Sequence, residues 1–197
     1  MFGTQCEQAA ASHGCTGKAG MCGKQEDTAL LQDRLTGALI RLAHAVVGNE
    51  ELIRKQTHQL VREALSTTIA NVNFNNETIR GLLERVAKEK QRLVPQCQGC
   101  DHPCGRNDDY DMSLLWNAND DICNLKSLLL FSIRGMAAQA HRAAVLGYTD
   151  EMVDTFFLHA LDVLGNEWNT ESLLPIVMKA GEVNLRCREL LDNKACE

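Results

Sequence analysis

Residues 25–48 read QEDTALLQDRLTGALIRLAHAVVG, and their spacing decides the class of the fold. Leu31, Leu35, Leu39, Leu42 and Val46 recur three and four residues apart, with Ala38 and Ala45 beside them. That is the apolar stripe of an amphipathic helix. Glu26 and Asp27 open it, where the helix dipole favours negative charge, and Gly48 suits the residue just past its end.

The helical period continues toward the C-terminus. Asn49 is read as the cap of a second helix, with Glu50 and Glu51 in its first turn and Leu52, Ile53, Gln56, Leu60, Ala64 and Leu65 as its buried face. The asparagine-rich link 71–76 suits turns and caps. A third helix carries Ile79, Leu82, Leu83, Val86 and Leu93, and Pro95 stops it. Links this short make consecutive helices antiparallel, so residues 25–94 are expected to form a three-helix bundle. A long irregular segment, 95–118, follows. A fourth helix then runs from about Asn119 to Leu146, with Ile122, Leu125, Leu129, Ile133, Met136, Ala140 and Ala144 on one face and Gly147 at its end. Thr149 is the expected cap of the fifth, which carries Met152, Phe156, Phe157, Ala160 and Leu164 and closes at Gly165. The sixth begins near Thr170 or Ser172, takes Pro175 in or near its first turn, and presents Leu174, Val177, Ala180, Asn184, Cys187 and Leu191. Residues 119–193 thus read as a second three-helix bundle. No stretch reads as a strand, and the expected class is all-α.

Residues 1–24, MFGTQCEQAAASHGCTGKAGMCGK, are of another kind. Cys6, Cys15 and Cys22 sit among Gly3, Gly14, Gly17, Gly20 and Gly23. A segment that cannot bury apolar surface stays disordered unless something else orders it. Thiolates converging on a metal or cluster would do so, with glycines supplying positive φ and close backbone approach. The segment 95–118 holds Cys97, Cys100 and Cys104 in C-x2-C-x3-C spacing, with His102 between them. Two readings stand for it: a zinc site or second cluster, with His102 as a candidate fourth ligand, or a surface loop of reduced thiols. Cys123 and Cys187 fall on helix faces as small buried hydrophobes, and Cys196 is read as a free thiol. His44, His58, His141 and His159 lie on helices and read as packing or surface residues, whereas His13 is near enough to the cysteines to donate to a sulfur. Asp108, Asp109 and Asp111 lack the spacing of a calcium loop and read as solvated.

Composition narrows the classes. At 197 residues the chain fits one or two domains, and a 45% hydrophobic and 23% charged make-up is that of a soluble globular protein. A net charge of -6 with no basic stripe argues against nucleic acid. No 18-residue uncharged apolar run suggests a membrane span, and the N-terminus lacks the pattern of a secretory signal, so a cytoplasmic location is expected. Nine cysteines there point to metal or redox chemistry, and an odd count fits a disulfide framework poorly. No Ser/His/Asp order, phosphate loop or nucleotide glycine motif marks a stand-alone enzyme.

The chain resembles the hybrid cluster protein family, also called hydroxylamine reductases or prismane proteins. The resemblance rests on Met1-Phe2, Gln5-Cys6-Glu7-Gln8, Gly14-Cys15-Thr16, Gly20-Met21-Cys22-Gly23-Lys24, Leu31-Gln32-Asp33 and the stretch from Thr68 to Phe74. It continues through Arg134-Gly135-Met136-Ala137-Ala138, His141, Ala144-Val145-Leu146-Gly147 and Val177-Met178-Lys179-Ala180-Gly181, and so spans nearly all of the chain. It implies an N-terminal helical domain of two three-helix bundles. It implies that the N-terminal cysteines hold a 4Fe-4S cubane, or a two-iron cluster as in some members, that relays electrons. Hydroxylamine or nitric oxide reduction takes place in that family at a separate hybrid cluster, held by two later α/β domains, before which this chain stops. The expected partners are therefore an electron donor protein and those α/β domains, and an apolar face left for them could also drive a homodimer. Gly3 stands where the family has its first cluster ligand. Cys6, Cys15 and Cys22 then hold a 3Fe-4S form, or a water, a buffer thiol or a cysteine of the 97–104 group completes the site, or no cluster forms. The competing expectation is a helical docking module in which both cysteine groups hold zinc.

Overall fold

The computed structural model describes residues 15, 19–47, 50–69, 72–93 and 109–192. Among them the chain forms seven α-helices: α1 Glu26–Val46, α2 Lys55–Thr67, α3 Asn76–Leu93, α4 Ser113–Trp116, α5 Asp120–Val145, α6 Glu151–Gly165 and α7 Thr170–Asp192. The expected all-α class is what forms, with a single antiparallel bridge between Ala19 and Gln25 as the β-type pairing among the described residues.

The fold is organised around α1. Every residue from Leu35 to Ile40 is buried, so this helix is enclosed on all sides rather than half-exposed. It packs mainly on α3 and α6, while α5 packs mainly on α7 and α2. One apolar core runs through these contacts and includes Leu39, Leu65, Ile79, Ile133, Phe157 and Leu164. Asn119 caps α5 by accepting from the Ile122 amide at 3.0 Å. Gly147 turns the chain after α5 with φ +94°, a conformation that disfavours a side chain. The Lys126 ammonium crosses from α5 to the end of α6, donating to the carbonyls of Leu164 at 3.1 Å and Asn166 at 2.6 Å.

Several boundaries differ from the sequence expectation. Glu50–Leu52 is a single 3-10 turn, and α2 starts only at Lys55, where the Arg54 amide donates to Thr57 Oγ1 at 3.2 Å. Gln56 is consequently exposed. The cap of α6 is Asp150 rather than Thr149, because its carboxylate reaches the Val153 amide at 3.2 Å. Met152 is 47% exposed and lies outside the core. In α7 the buried face is Leu173, Ala180, Val183, Cys187 and Leu190, whereas Leu174 and Asn184 face solvent and Leu191 is half-buried. Asn169 starts the helix by accepting from the Ser172 amide at 2.8 Å, which places Pro175 inside it, past the first turn. Pro175 and Glu171 are exposed, so the carbonyl that loses its partner faces water.

The end of the long irregular segment belongs to the core. Tyr110, Met112 and Leu115 are all buried. The reason lies at Gly37: the Tyr110 amide donates to the Gly37 carbonyl at 3.3 Å, and a Cβ on Gly37 would lie 2.2 Å from the Tyr110 carbonyl oxygen. The Tyr110 ring then lies 5.7 Å from the Arg41 guanidinium. Gly37→Ala improves helix propensity but forces two backbones apart, so it should destabilise the protein by about 2 kcal/mol. Gly135→Ala, with open space around its Cβ position, should be neutral or stabilising in the same urea titration. Equal midpoints for the two variants would remove the close approach as a constraint.

Candidate metal centre

Residues 19–25 form a small hairpin at the entrance to α1. The Gly20 amide donates to the Lys24 carbonyl at 2.7 Å, and the Gly23 amide donates to the Gly20 carbonyl at 2.9 Å. Gly23 holds φ +85°, and the Gln25 side chain donates to the Gly23 carbonyl at 3.3 Å. Both described thiols of this region lie near Gly20. A Cβ there would lie 3.4 Å from Cys22 Sγ and 3.6 Å from Cys15 Sγ. Two cysteines seven positions apart thus flank the space that an absent side chain leaves open. Cys15 is half-buried and Cys22 exposed.

The hairpin is tied to the interior through Lys24, which is 4% exposed. Its ammonium donates to Gln32 Oε1 on α1. The Gln32 amide nitrogen donates in turn to the carbonyls of Asn73 at 3.0 Å and Thr67 at 3.4 Å. One turn further, Thr36 Oγ1 donates to the Gln32 carbonyl at 2.9 Å and accepts from Arg134 Nη2 at 2.8 Å. Arg134 Nε donates to Thr68 Oγ1 at 2.9 Å. Burial pushes the Arg134 pKa down to about 10, with Asp33 pulling the other way, so the group stays charged at neutral pH. Sequence reasoning gave Lys24, Gln32, Thr36, Thr68 and Arg134 no role in the site. The available signal was Gln32 and Thr36, polar residues one turn apart on an otherwise apolar helix face.

Of the other expected site residues, Cys6, Cys97, Cys100 and Cys104 lie outside the described residues, as do Gly3, His13 and His102. Among the described residues no three His, Cys, Asp or Glu side chains gather as a metal-holding group. The thiols of Cys15 and Cys22 are the converging pair. Soft sulfur donors around a glycine without Cβ are the donor type that fits an iron–sulfur cluster. Cys123 is half-buried with its thiol 3.9 Å from the Trp116 carbonyl. Cys187 is fully buried in α7, and desolvation pushes its thiol up to about 12. His44 Nδ1 lies 2.6 Å from Asp162 and serves helix packing. His58 stands beside the buried Arg62–Asp154 pair, where burial holds its pKa down. Asp111 is not simply solvated: it accepts from the Ser113 amide at 2.9 Å at the start of α4, and that bond lowers its pKa. A cleft of about 670 Å³ between Leu30, Arg34, Tyr110, Met112 and Trp116 contains neither thiol of the pair.

The family model of the prismane/CO dehydrogenase family matches residues 1–196. The chain belongs to that family. Among relatives of this prismane-type chain, hydroxylamine reductase of Thermodesulfovibrio yellowstonii is 36% identical, over 98% of this chain and 39% of its own length. The enzyme of the same name from Syntrophobacter fumaroxidans is also 36% identical with the same coverage, and that of Maridesulfovibrio salexigens is 30% identical over 98% of this chain and 38% of its own. The chain thus spans about two fifths of the length of these relatives.

Thiol accessibility gives a direct check of the geometry. Of the four described cysteines, in anaerobic, metal-free protein at pH 8, Cys22 should be alkylated first and Cys187 last. At pH 8 a thiol titrating near 12 is thiolate about once in 10,000 molecules. Peptide mass spectrometry that found Cys187 modified in the folded protein as fast as Cys22 would contradict the packing of α7.

Proposed function

We propose that this chain is the N-terminal electron-transfer unit of a hydroxylamine reductase-like oxidoreductase, with Cys6, Cys15 and Cys22 holding an iron–sulfur cluster. The observation that carries the reading is the convergence of Cys15 and Cys22 on Gly20. Family membership supports it, since relatives over this same region carry the name hydroxylamine reductase. Such a cluster, when bound, takes up and releases one electron at a time. The chain's own contribution is positional. Exposed Cys22 sets the site at the surface, within reach of an electron donor protein, and the glycine turn lets the thiols approach. With Gly3 at the position of the family's first ligand, we propose a three-iron form, or a four-iron form completed by a solvent ligand or by a thiol of Cys97, Cys100 or Cys104. The reduced thiols that this requires accord with a cytoplasmic location.

The partner proposal rests on α7. Leu174, Met178 and Leu185 are 49%, 69% and 62% exposed, and with Gly181 they form one stripe opposite the buried face. We assign this stripe as the docking face for the α/β domains that carry reduction in the hybrid cluster proteins. The relatives extend well beyond the region matched here. In its place, a second copy would give the homodimer. No described helix is long and apolar enough to cross a membrane.

Anaerobic purification followed by iron, acid-labile sulfide and zinc analysis, with electron paramagnetic resonance before and after dithionite, tests the cluster. About three irons with sulfide and a signal in the oxidised state is the expected three-iron result, and about four indicates a completed cubane. Cys15→Ala should abolish the visible absorbance. Zinc without sulfide, or unchanged iron in Cys15→Ala, would overturn the proposal in favour of a zinc-stabilised docking module.

The stripe is tested separately by light scattering. The isolated chain should self-associate at high concentration, and Met178→Asp with Leu185→Asp should make it monomeric. A wild-type chain that stays monomeric throughout would count against an apolar docking face.

A further inference from the structure

We propose that Lys24 is the positioning residue of the thiol pair: its buried ammonium clamps the 19–25 hairpin onto α1 and sets Cys15 and Cys22 around Gly20 before any metal is present. The hairpin needs such a device. Among the described residues its internal order rests on two backbone hydrogen bonds, the Gln25 side-chain bond to the Gly23 carbonyl and one bridge, and glycine-rich backbone loses the most entropy on ordering. Thiolates brought together also repel one another. Lys24 answers both demands. Its carbonyl accepts from the Gly20 amide, so the residue that anchors the turn also fixes the glycine between the sulfurs. Its side chain is buried, and a buried ammonium is tolerated only where it is well bonded.

The acceptor is held as firmly as the donor. Both carbonyls of Thr67 and Asn73 face the Gln32 amide nitrogen, which leaves the amide oxygen turned toward Lys24. Thr36 and Arg134 then fix the Gln32 backbone from the other side. The clamp thus reaches the buried frame of α1, α2 and α5. On the iron–sulfur reading above, a positive charge on the residue two positions from Cys22 also raises the potential of the bound centre.

The test uses Lys24→Met, which keeps the volume and removes the charge and the bond, with Lys24→Arg as the conservative control. In metal-free wild type, Lys24→Met and Lys24→Arg, amide hydrogen exchange is followed at Gly20 and Gly23, with Leu39 and Leu65 as reporters of the core. Lys24→Met should exchange Gly20 at least about tenfold faster while the core amides are unchanged, and Lys24→Arg should recover part of the protection. After iron and sulfide reconstitution, Lys24→Met should lose iron to a chelator faster and show a lower midpoint potential. Unchanged Gly20 exchange in a folded Lys24→Met protein overturns the clamp. Should that variant fail to fold, Gln32→Met removes the acceptor instead and must loosen Gly20 in the same way, or the clamp is again overturned. If the wild type takes up no iron and sulfide, the iron–sulfur reading falls, while exchange in the metal-free protein still decides the role of Lys24.

Discussion

A guanidinium 2% exposed stands where α1, α2 and α5 meet. Removing such a charge from water costs several kcal/mol, and the cost is offset only when good acceptors are fixed around it. For Arg134 those acceptors are the hydroxyls of Thr36 on α1 and Thr68 just past α2, with the Asp33 charge nearby. Three helices are thereby held in one relative register. The apolar core supplies most of the driving force, but it is non-directional. Slide α1 by a residue and an apolar face still meets apolar neighbours, whereas Arg134 loses its Thr36 acceptor and keeps Thr68.

The same constraint reaches the thiols. Thr36 ties Arg134 to the backbone of Gln32, Gln32 ties α1 to Lys24, and Lys24 closes the turn on Gly20. A hairpin that leaves Met21 exposed and buries only Lys24 is therefore ordered from within the helical domain. Gly37 works by what it lacks: it lets the Tyr110 backbone lie against α1, and a methyl group there would collide with the Tyr110 carbonyl. At Gly20 a methyl group would sit in ordinary contact with both sulfurs, so that position marks where the thiols lie without excluding a side chain.

The helices were legible because amphipathic periodicity is local. The stripes of α1, α3 and α5 follow directly from three- and four-residue spacing, and Ile79, Leu82, Val86, Leu129, Ile133 and Met136 are buried as that spacing requires. Where two apolar residues are adjacent, spacing loses its power. Leu173 and Leu174 lead to stripes one residue apart, and only the neighbouring helices decide that 173, 180, 183 and 187 face inward. Tyr110 and Met112 escaped notice for a related reason. They sit among aspartates in an irregular stretch, and their burial follows from a groove at Gly37, far back in the chain. For the candidate centre, the cysteine and glycine content pointed to Cys15 and Cys22 as candidate donors, and the structure places both sulfurs near Gly20. The support beneath them was hidden, because the bonds that link Lys24, Gln32, Thr36 and Arg134 include one between residues 98 positions apart.

By itself, then, the amino-acid sequence determined an all-α class, the existence of each long helix and the thiol- and glycine-rich composition of the N-terminal stretch. These are properties of neighbours in the chain, set by side-chain period and backbone propensity. The tertiary structure alone decided which face of α7 is buried, that the 110–115 stretch joins the core, and that a buried lysine binds the thiol hairpin to α1. Those outcomes depend on desolvation and close approach between distant segments, which no local pattern encodes.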